Sequence, residues 1–197
     1  MQRFYLIAGD VDLLARLVPL GVRLVQLRIK DAPAQQLRRD IARARDICAA
    51  HGAQLVVNDH WEAALDLGCD FVHLGQEDMD SADFAALRKA GMRVGLSTHD
   101  RAELDRALSQ DPAYVALGPV YPTLLKQMKW APQGLERLAK WKRRVGATPL
   151  VAIGGLTPER LPEVFAAGAD SAAVVTDIQQ AADPSARTLE WIRACQP

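Results

Sequence analysis

The stretch GVRLVQL, residues 21–27, joins a glycine, two intervening residues and a run of alternating apolar and polar side chains. The same layout recurs as GCDFVHL at 68 and GADSAAV at 168, with DPAYVALG at 111 as a variant lacking the glycine. A glycine there suits the left-handed cap that closes a helix, so each copy reads as a helix end followed by a strand. The copies open the second, fourth, eighth and sixth apolar runs of the chain. Alternate units are therefore built alike.

Working outward, eight runs read as strands: RFYLIA (3–8), LVQLRI (24–29), QLVVND (54–59), FVHLG (71–75), RVGLST (93–98), YVALGP (114–119), LVAIGG (150–155) and SAAVV (171–175). The intervals have room for crossover helices, such as PAQQLRRDIARARDICAAHG (33–52) and SADFAALRKAG (81–91). Connections with room for a crossover helix predict a parallel sheet. Eight strand–helix units in 197 residues predict an α/β fold, a single (β/α)8 TIM barrel forming one domain over 1–197. An open doubly wound sheet is the alternative. No linker or low-complexity segment divides the chain.

Lysine and arginine (24) balance aspartate and glutamate (24), so no basic field argues for nucleic acid and no polybasic segment for a membrane surface. No apolar run has the length of a membrane span, and the N-terminus shows no signal-peptide pattern. The three cysteines, Cys48, Cys69 and Cys195, are widely spaced and form no C-x-x-C pair. They read as reduced thiols of a cytoplasmic protein, not as a disulfide framework or zinc site. A homo-oligomer is compatible with all of this.

The segment VQLRIKD (25–31) sets Gln26, Arg28 and Lys30 at period-two spacing, which puts an amide and two cations on one strand face. In a barrel, functional residues gather at the C-terminal ends of strands. Asn58 and Asp59 end the third run, Asp78 follows the fourth, and Ser97-Thr98-His99 ends the fifth. The sixth runs into GPVYPTLLKQMKWAPQG, the seventh into Gly154-Gly155 and the eighth into Val175-Thr176. Polar or glycine residues thus follow seven consecutive strands at one end, which argues for one large site.

Each residue also has a plainer reading. Arg28 and Lys30 fit an ion pair with Asp31 or another rim acid, Asp59 a cap on a helix starting at His60, and Asp78 a solvated loop acid before a helix at Ser81. Ser97 and Thr98 fit helix caps, although Asp100 competes for that task. His73 lies between apolar neighbours and reads as a satisfied core histidine. His60 and His99 have no ligand spacing to a second His or Cys, which argues against zinc. AIGGL before Thr157-Pro158 fits a tight turn into a capped helix. It equally offers backbone N–H groups to a phosphate, whose common place in barrels is after strands seven and eight. No Walker loop and no G-x-G-x-x-G after the first strand are present.

Three cations (Arg28, Lys30, Lys126) beside two carboxylates (Asp59, Asp78) point to a bridging divalent metal and a polyphosphate; Mg2+ commonly uses one or two carboxylates. With a separate monophosphate pocket, this chemistry fits group transfer with pyrophosphate as leaving group. VQLRIKD, VVNDHWEAAL, VHLGQEDM, VGLSTHD, ALGPVYPTLLKQMKWAPQGL, VAIGGL and AAVVT, taken in order and spacing, resemble the thiamine-phosphate synthase family from about residue 4 to 180. The resemblance implies condensation of 4-amino-2-methyl-5-(diphosphooxymethyl)pyrimidine with a thiazole phosphate, giving thiamine phosphate and pyrophosphate. It also implies a dissociative course in which pyrophosphate leaves before the thiazole nitrogen attacks.

Carried over by position, the resemblance assigns Gln26, Arg28, Lys30, Asn58, Ser97 and Lys126 to the pyrimidine diphosphate. Arg28, Lys30, Ser97 and Lys126 would assist catalysis, and Asp59 and Asp78 would hold Mg2+. Thr123, Leu125 (through its backbone N–H), Gly155, Val175 and Thr176 would receive the thiazole phosphate. Two positions depart from the pattern: Leu125 replaces a frequent threonine, and Thr176 is followed by Asp177. That carboxylate is expected to turn away, capping a following short helix. The loop 120–133 reads as a lid, with Met128 and Trp130 shielding the cavity or packing on the rim. Two other readings use the same pocket: a thiazole tautomerase-like barrel and a non-catalytic sensor of thiamine precursors. The first needs no set of Arg28, Lys30, Asp59, Asp78 and Lys126, and the second has no appended output segment.

Overall fold

The computed structural model describes residues 1–123 and 130–196. Eight parallel strands close on themselves in sequence order: β1 (Phe4–Ala8), β2 (Leu24–Leu27), β3 (Gln54–Asn58), β4 (Phe71–Leu74), β5 (Arg93–Thr98), β6 (Tyr114–Leu117), β7 (Leu150–Ile153) and β8 (Ser171–Val174). Closure comes from β1 pairing β8, with Phe4 opposite Ala172 and Leu6 opposite Val174. Around the barrel run α1 (Val11–Leu17), α2 (Ala34–His51), α3 (Trp61–Asp66), α4 (Asp78–Ser81), α5 (Phe84–Lys89), α6 (Arg101–Leu108), α7 (Gly134–Val145), α8 (Leu161–Ala166), α9 (Thr176–Gln179) and α10 (Pro184–Ala194). The open doubly wound sheet is excluded by the β1–β8 pairing.

Most strand residues are buried on both faces, as a parallel barrel wrapped in helices requires. Leu6, Val25, Val57 and Val115 point outward and pack with helix residues such as Leu14, Ile41, Leu104 and Leu138. Their strand neighbours Tyr5, Leu24, Val56, Phe71 and Tyr114 fill the barrel interior. The repeat has the expected basis. Gly21, Gly68 and Gly168 take positive φ of 110°, 70° and 100° just after helical segments. Where the fourth copy lacks glycine, Asp111 takes the same left-handed turn at φ 52°, a conformation short polar side chains tolerate.

Several boundaries differ from the sequence expectation. β2 stops at Leu27 because its neighbour β1 ends opposite it at Ala8; one further bond, from the Arg28 N–H to Ala8 O (2.8 Å), closes the pairing. Lys30 therefore belongs to a loop, in which Asp31 has φ 57°, and only Gln26 of the three polar residues is on the strand itself. The single helix expected over 81–91 is two, α4 and α5. Ala82 is extended, and the Asp83 carboxylate accepts the Ala85 and Ala86 N–H groups (3.0 and 2.9 Å), starting a new helix. Among the described residues no helix is long and apolar enough to cross a membrane.

Candidate active site

Parallel closure puts every strand's C-terminal end on one rim, so the residues after β2 to β8 share that rim by topology. Gln26 is buried in the barrel wall, where its Nε2 donates to the Tyr5 hydroxyl at 3.0 Å. Arg28 and Lys30 are exposed beyond the strand end. Neither forms an ion pair among the described residues, so the plainer reading of a rim salt bridge does not hold. The Arg28 charge acts on both Asp59 and His73, which locates the guanidinium over this part of the rim.

Asn58 ends β3 in register with His73 and is buried. Asp59 follows at φ 62°, a left-handed conformation that aspartate, like Asp111, adopts more readily than most residues with a side chain. It does not cap α3, whose N-cap position is His60. Asp78 is the first residue of α4, not a loop acid ahead of a helix, and its Oδ2 accepts the Gly75 N–H at 3.1 Å. A side chain at Gly75 would come within 2.9 Å of that oxygen. The Asp59 and Asp78 carboxyls lie within hydrogen-bonding reach of each other. Burial first, then the facing Asp78 charge, raises Asp59 to about 6 despite the opposing Arg28. Two facing carboxylates that resist being charged together are a natural seat for a dication. No third His, Cys, Asp or Glu joins them in a cluster among the described residues.

On β5, Ser97 Oγ meets His73 Nε2 at 2.8 Å while its carbonyl accepts Gln76 Nε2 at 2.7 Å. Asp100 caps α6, as the competition argument expected, and Thr98 is buried between Ala116 O and the Trp141 indole. His73 is a satisfied interior histidine: burial depresses it to about 4, so it stays neutral at pH 7. What sequence reading missed is its second partner, Tyr114, and beyond that Tyr5.

At the far side of the rim, Val120 and Tyr121 N–H groups bond to Ile153 O and Gly154 O, zipping the β6 exit to the β7 exit. A Cβ on Gly155 would lie 2.4 Å from Pro122 O, so glycine is required by this approach. Arg160 donates to Gly155 O and lies over the Tyr121 ring, 4.4 Å from its centroid. Thr157 sits at an N-cap position ahead of Pro158 but makes no capping bond. Thr123 follows the zipped segment; Val175 and Thr176 open α9 after β8. Asp177 does turn away, but not to cap a helix. It lies inside α9 and accepts from Arg187 and the Trp191 indole. Leu125, Lys126 and Met128 lie outside the described residues. Trp130 stacks on His99 at 5.6 Å, on the rim.

The family described as thiamine monophosphate synthase matches residues 4–178, from β1 to α9. The chain belongs to that family. A thiamine-phosphate synthase of Rhizobium etli is 63% identical over 197 residues, covering 100% of this chain and 97% of that one. One of Neisseria meningitidis serogroup B is 47% identical over 184 residues, 93% of this chain and 90% of the other. A solved thiamine phosphate pyrophosphorylase from Pyrococcus furiosus superposes with a TM-score of 0.86 at 26% identity, covering 98% of this chain and 95% of that chain. As a member of the thiamine monophosphate synthase family, the chain is a transferase of thiamine biosynthesis.

Proposed function

We propose that the rim joins a hydroxymethylpyrimidine diphosphate to a thiazole phosphate, giving thiamine phosphate and pyrophosphate. The C–O bond between the pyrimidine methylene and the diphosphate breaks, and its electron pair leaves with pyrophosphate. The thiazole nitrogen lone pair then forms the C–N bond. Neither event needs a protein nucleophile. This agrees with thiols that are buried and pushed upward, Cys48 to about 12 and Cys195 to about 11.

Arg28, Lys30 and Lys126 would hold the diphosphate by charge, with Gln26, Asn58 and Ser97 donating hydrogen bonds to the same substrate. Asp59 and Asp78 would hold Mg2+, which when bound neutralises charge on the leaving group. Thr123, Leu125, Gly155, Val175 and Thr176 would take the thiazole phosphate on hydroxyl and backbone N–H groups. Catalysis is then positioning plus electrostatic stabilisation of the departing pyrophosphate. Its substrates are small molecules, and the reduced cysteines fit a cytoplasmic setting.

The observation that carries this reading is the facing pair Asp59 and Asp78 beside the Arg28 charge. Such a cluster repels itself unless a dication and a polyphosphate complete it. The direct test is incubation with both substrates, with and without Mg2+, measuring thiamine phosphate and pyrophosphate. Equal amounts of the two products, dependent on Mg2+, are expected. Pyrophosphate release without thiamine phosphate, or no product at all, would overturn the reading.

A further inference from the structure

Five side chains inside the barrel form one unbroken hydrogen-bonded chain. Gln26 Nε2 donates to Tyr5 Oη at 3.0 Å, and the Tyr5 and Tyr114 hydroxyls meet at 2.9 Å. Tyr114 Oη meets His73 Nδ1 at 2.7 Å, and His73 Nε2 meets Ser97 Oγ at 2.8 Å. The three central members are at most 8% exposed. Register explains how residues so far apart in sequence meet. His73 pairs with Gly95 and Gly95 with Tyr114, so the Tyr114 ring crosses over Gly95 and stacks on the imidazole (5.5 Å, 12°). A Cβ on Gly95 would fall 2.1 Å from that ring, so the glycine is what lets the chain close.

Both ends of the chain are residues read above as substrate ligands, and the interior members have no part in that reading. We propose that Tyr5, Tyr114 and His73 are positioning residues that point the Ser97 hydroxyl proton out of the barrel wall, with His73 as its Nε2–H tautomer. This rests on the reading of Ser97 as a ligand of the diphosphate substrate.

The proton count along the chain fixes its direction. Each hydroxyl owns one proton, and a neutral imidazole owns one. The Gln26 N–H enters the Tyr5 oxygen; if Tyr114 donated there as well, the Tyr5 proton would have no acceptor in the chain, so Tyr5 directs its own proton to Tyr114, and Tyr114 directs its proton to His73 Nδ1. The imidazole then carries its proton on Nε2 and donates to Ser97 Oγ. Ser97 is left with a proton and no interior acceptor for it. Donation into its oxygen also polarises that O–H outward. The opposite polarity strands the Tyr5 proton unless the Gln26 amide is turned end for end, and it turns the Ser97 proton back onto His73. An anionic diphosphate carries acceptor oxygens only, so that polarity would set lone pair against lone pair. Ligand chemistry and the Gln26 donor select the same direction.

Two measurements test this. In the free protein, two-bond 1H–15N correlations of His73 should show protonated Nε2 and bare Nδ1. A protonated Nδ1 overturns the proposal. The second uses Tyr114→Phe, which keeps the ring and removes one hydroxyl. Loss of one oriented hydrogen bond should lower kcat by about three- to tenfold. In a Ser97→Ala background the same substitution should cost no further kcat, while its effect on denaturant stability should persist. Equal fractional losses of kcat in both backgrounds overturn the proposal, since Tyr114 would then not act through Ser97. Full activity in Ser97→Ala alone overturns the ligand reading beneath it, whichever tautomer is found.

Discussion

The Asp177 carboxylate accepts two bonds from the Arg187 guanidinium, at 2.8 and 3.0 Å, and one from the Trp191 indole at 2.7 Å. Asp177 follows Thr176 directly, at the proposed phosphate end of the rim. An unpaired carboxylate there would repel the ligand, and the bidentate pair with Arg187 both neutralises it and holds it away. Arg187 also reaches Glu159 of the β7 exit (3.8 Å), so one guanidinium ties together the two exits that flank the pocket. Arg187→Met should raise KM for thiazole phosphate about tenfold and leave KM for the pyrimidine diphosphate near its original value. Asp177→Asn in the same chain should restore most of the loss. Steady-state kinetics with each substrate varied in turn reads both; an unchanged thiazole KM in Arg187→Met refutes the pairing's role.

His73 makes folding stability depend on acid. Its folded pKa of about 4 lies below the ordinary 6.5, so between those values the unfolded chain binds the proton more readily. Stability is therefore complete above about pH 6.5 and declines as pH falls toward 4. Between pH 7 and pH 5 this group alone should remove about 2 kcal/mol. His73→Asn is expected to show a shallower decline over that interval in denaturant melts, whatever its stability at pH 7. A parallel decline would show that His73 is not the group responsible.

Much of the barrel is legible in the chain because its signals are local. An apolar run needs no partner to announce a strand, and a glycine after a helical period announces the turn into it, even where Asp111 substitutes. The end of β2 is not local. Arg28 and Lys30 continue the alternation, but β1 has ended at Ala8 and offers no further partner after the Arg28 N–H. The break between α4 and α5 is equally hidden, since Ser81 and Asp83 are both good caps and only the extended Ala82 between them decides. Among site residues, Asp59 and Asp78 stand out in the sequence as acids after strands. Their mutual approach is made by residues 19 positions apart and is not visible in the spacing, and neither is the left-handed turn at Asp59. The Tyr5–Tyr114 link spans 109 positions and is created by barrel register alone. Its one trace in the sequence is Gly95, a strand glycine whose reason is the ring lying over it.

Trp130 lies parallel to the His99 ring, 5.6 Å away, and His99 is held by the Glu103 carboxylate through both its backbone N–H (2.7 Å) and Nδ1 (2.8 Å). Gln133 and Arg137 add bonds to His99 O. The indole thus caps a firmly built part of the rim. If pyrophosphate leaves first, water competes with the thiazole for the pyrimidine cation, and an apolar cap at the rim limits it. Trp130→Ala should yield more hydroxymethylpyrimidine per thiamine phosphate formed, measured by chromatography of both products. An unchanged ratio means that the indole only packs on the rim.

The facing carboxylates Asp59 and Asp78 predict opposite effects on stability and on metal affinity. Without a cation, burial and mutual repulsion make the pair unfavourable, as the rise of Asp59 to about 6 reflects. Asp59→Asn removes one charge at nearly constant shape. Measured without divalent ions near pH 7.5, it should stabilise the fold by about 1 kcal/mol, a figure reduced because the group still meets solvent. The same change removes half of the protein's charge toward a dication. Calorimetric titration with Mg2+ or Mn2+ in the presence of inorganic pyrophosphate should therefore show affinity lowered by about tenfold or more. Asp78→Asn should lower metal affinity likewise. Its stability gain should be smaller, because the Asp78 carboxylate also holds the Gly75 N–H at 3.1 Å, a bond the neutral amide oxygen accepts more weakly. Residues that merely shape the rim would lose stability on substitution and leave metal affinity alone. If both variants bind the metal as the unmodified chain does, the cation site is elsewhere and the approach of the two carboxyls needs another reason.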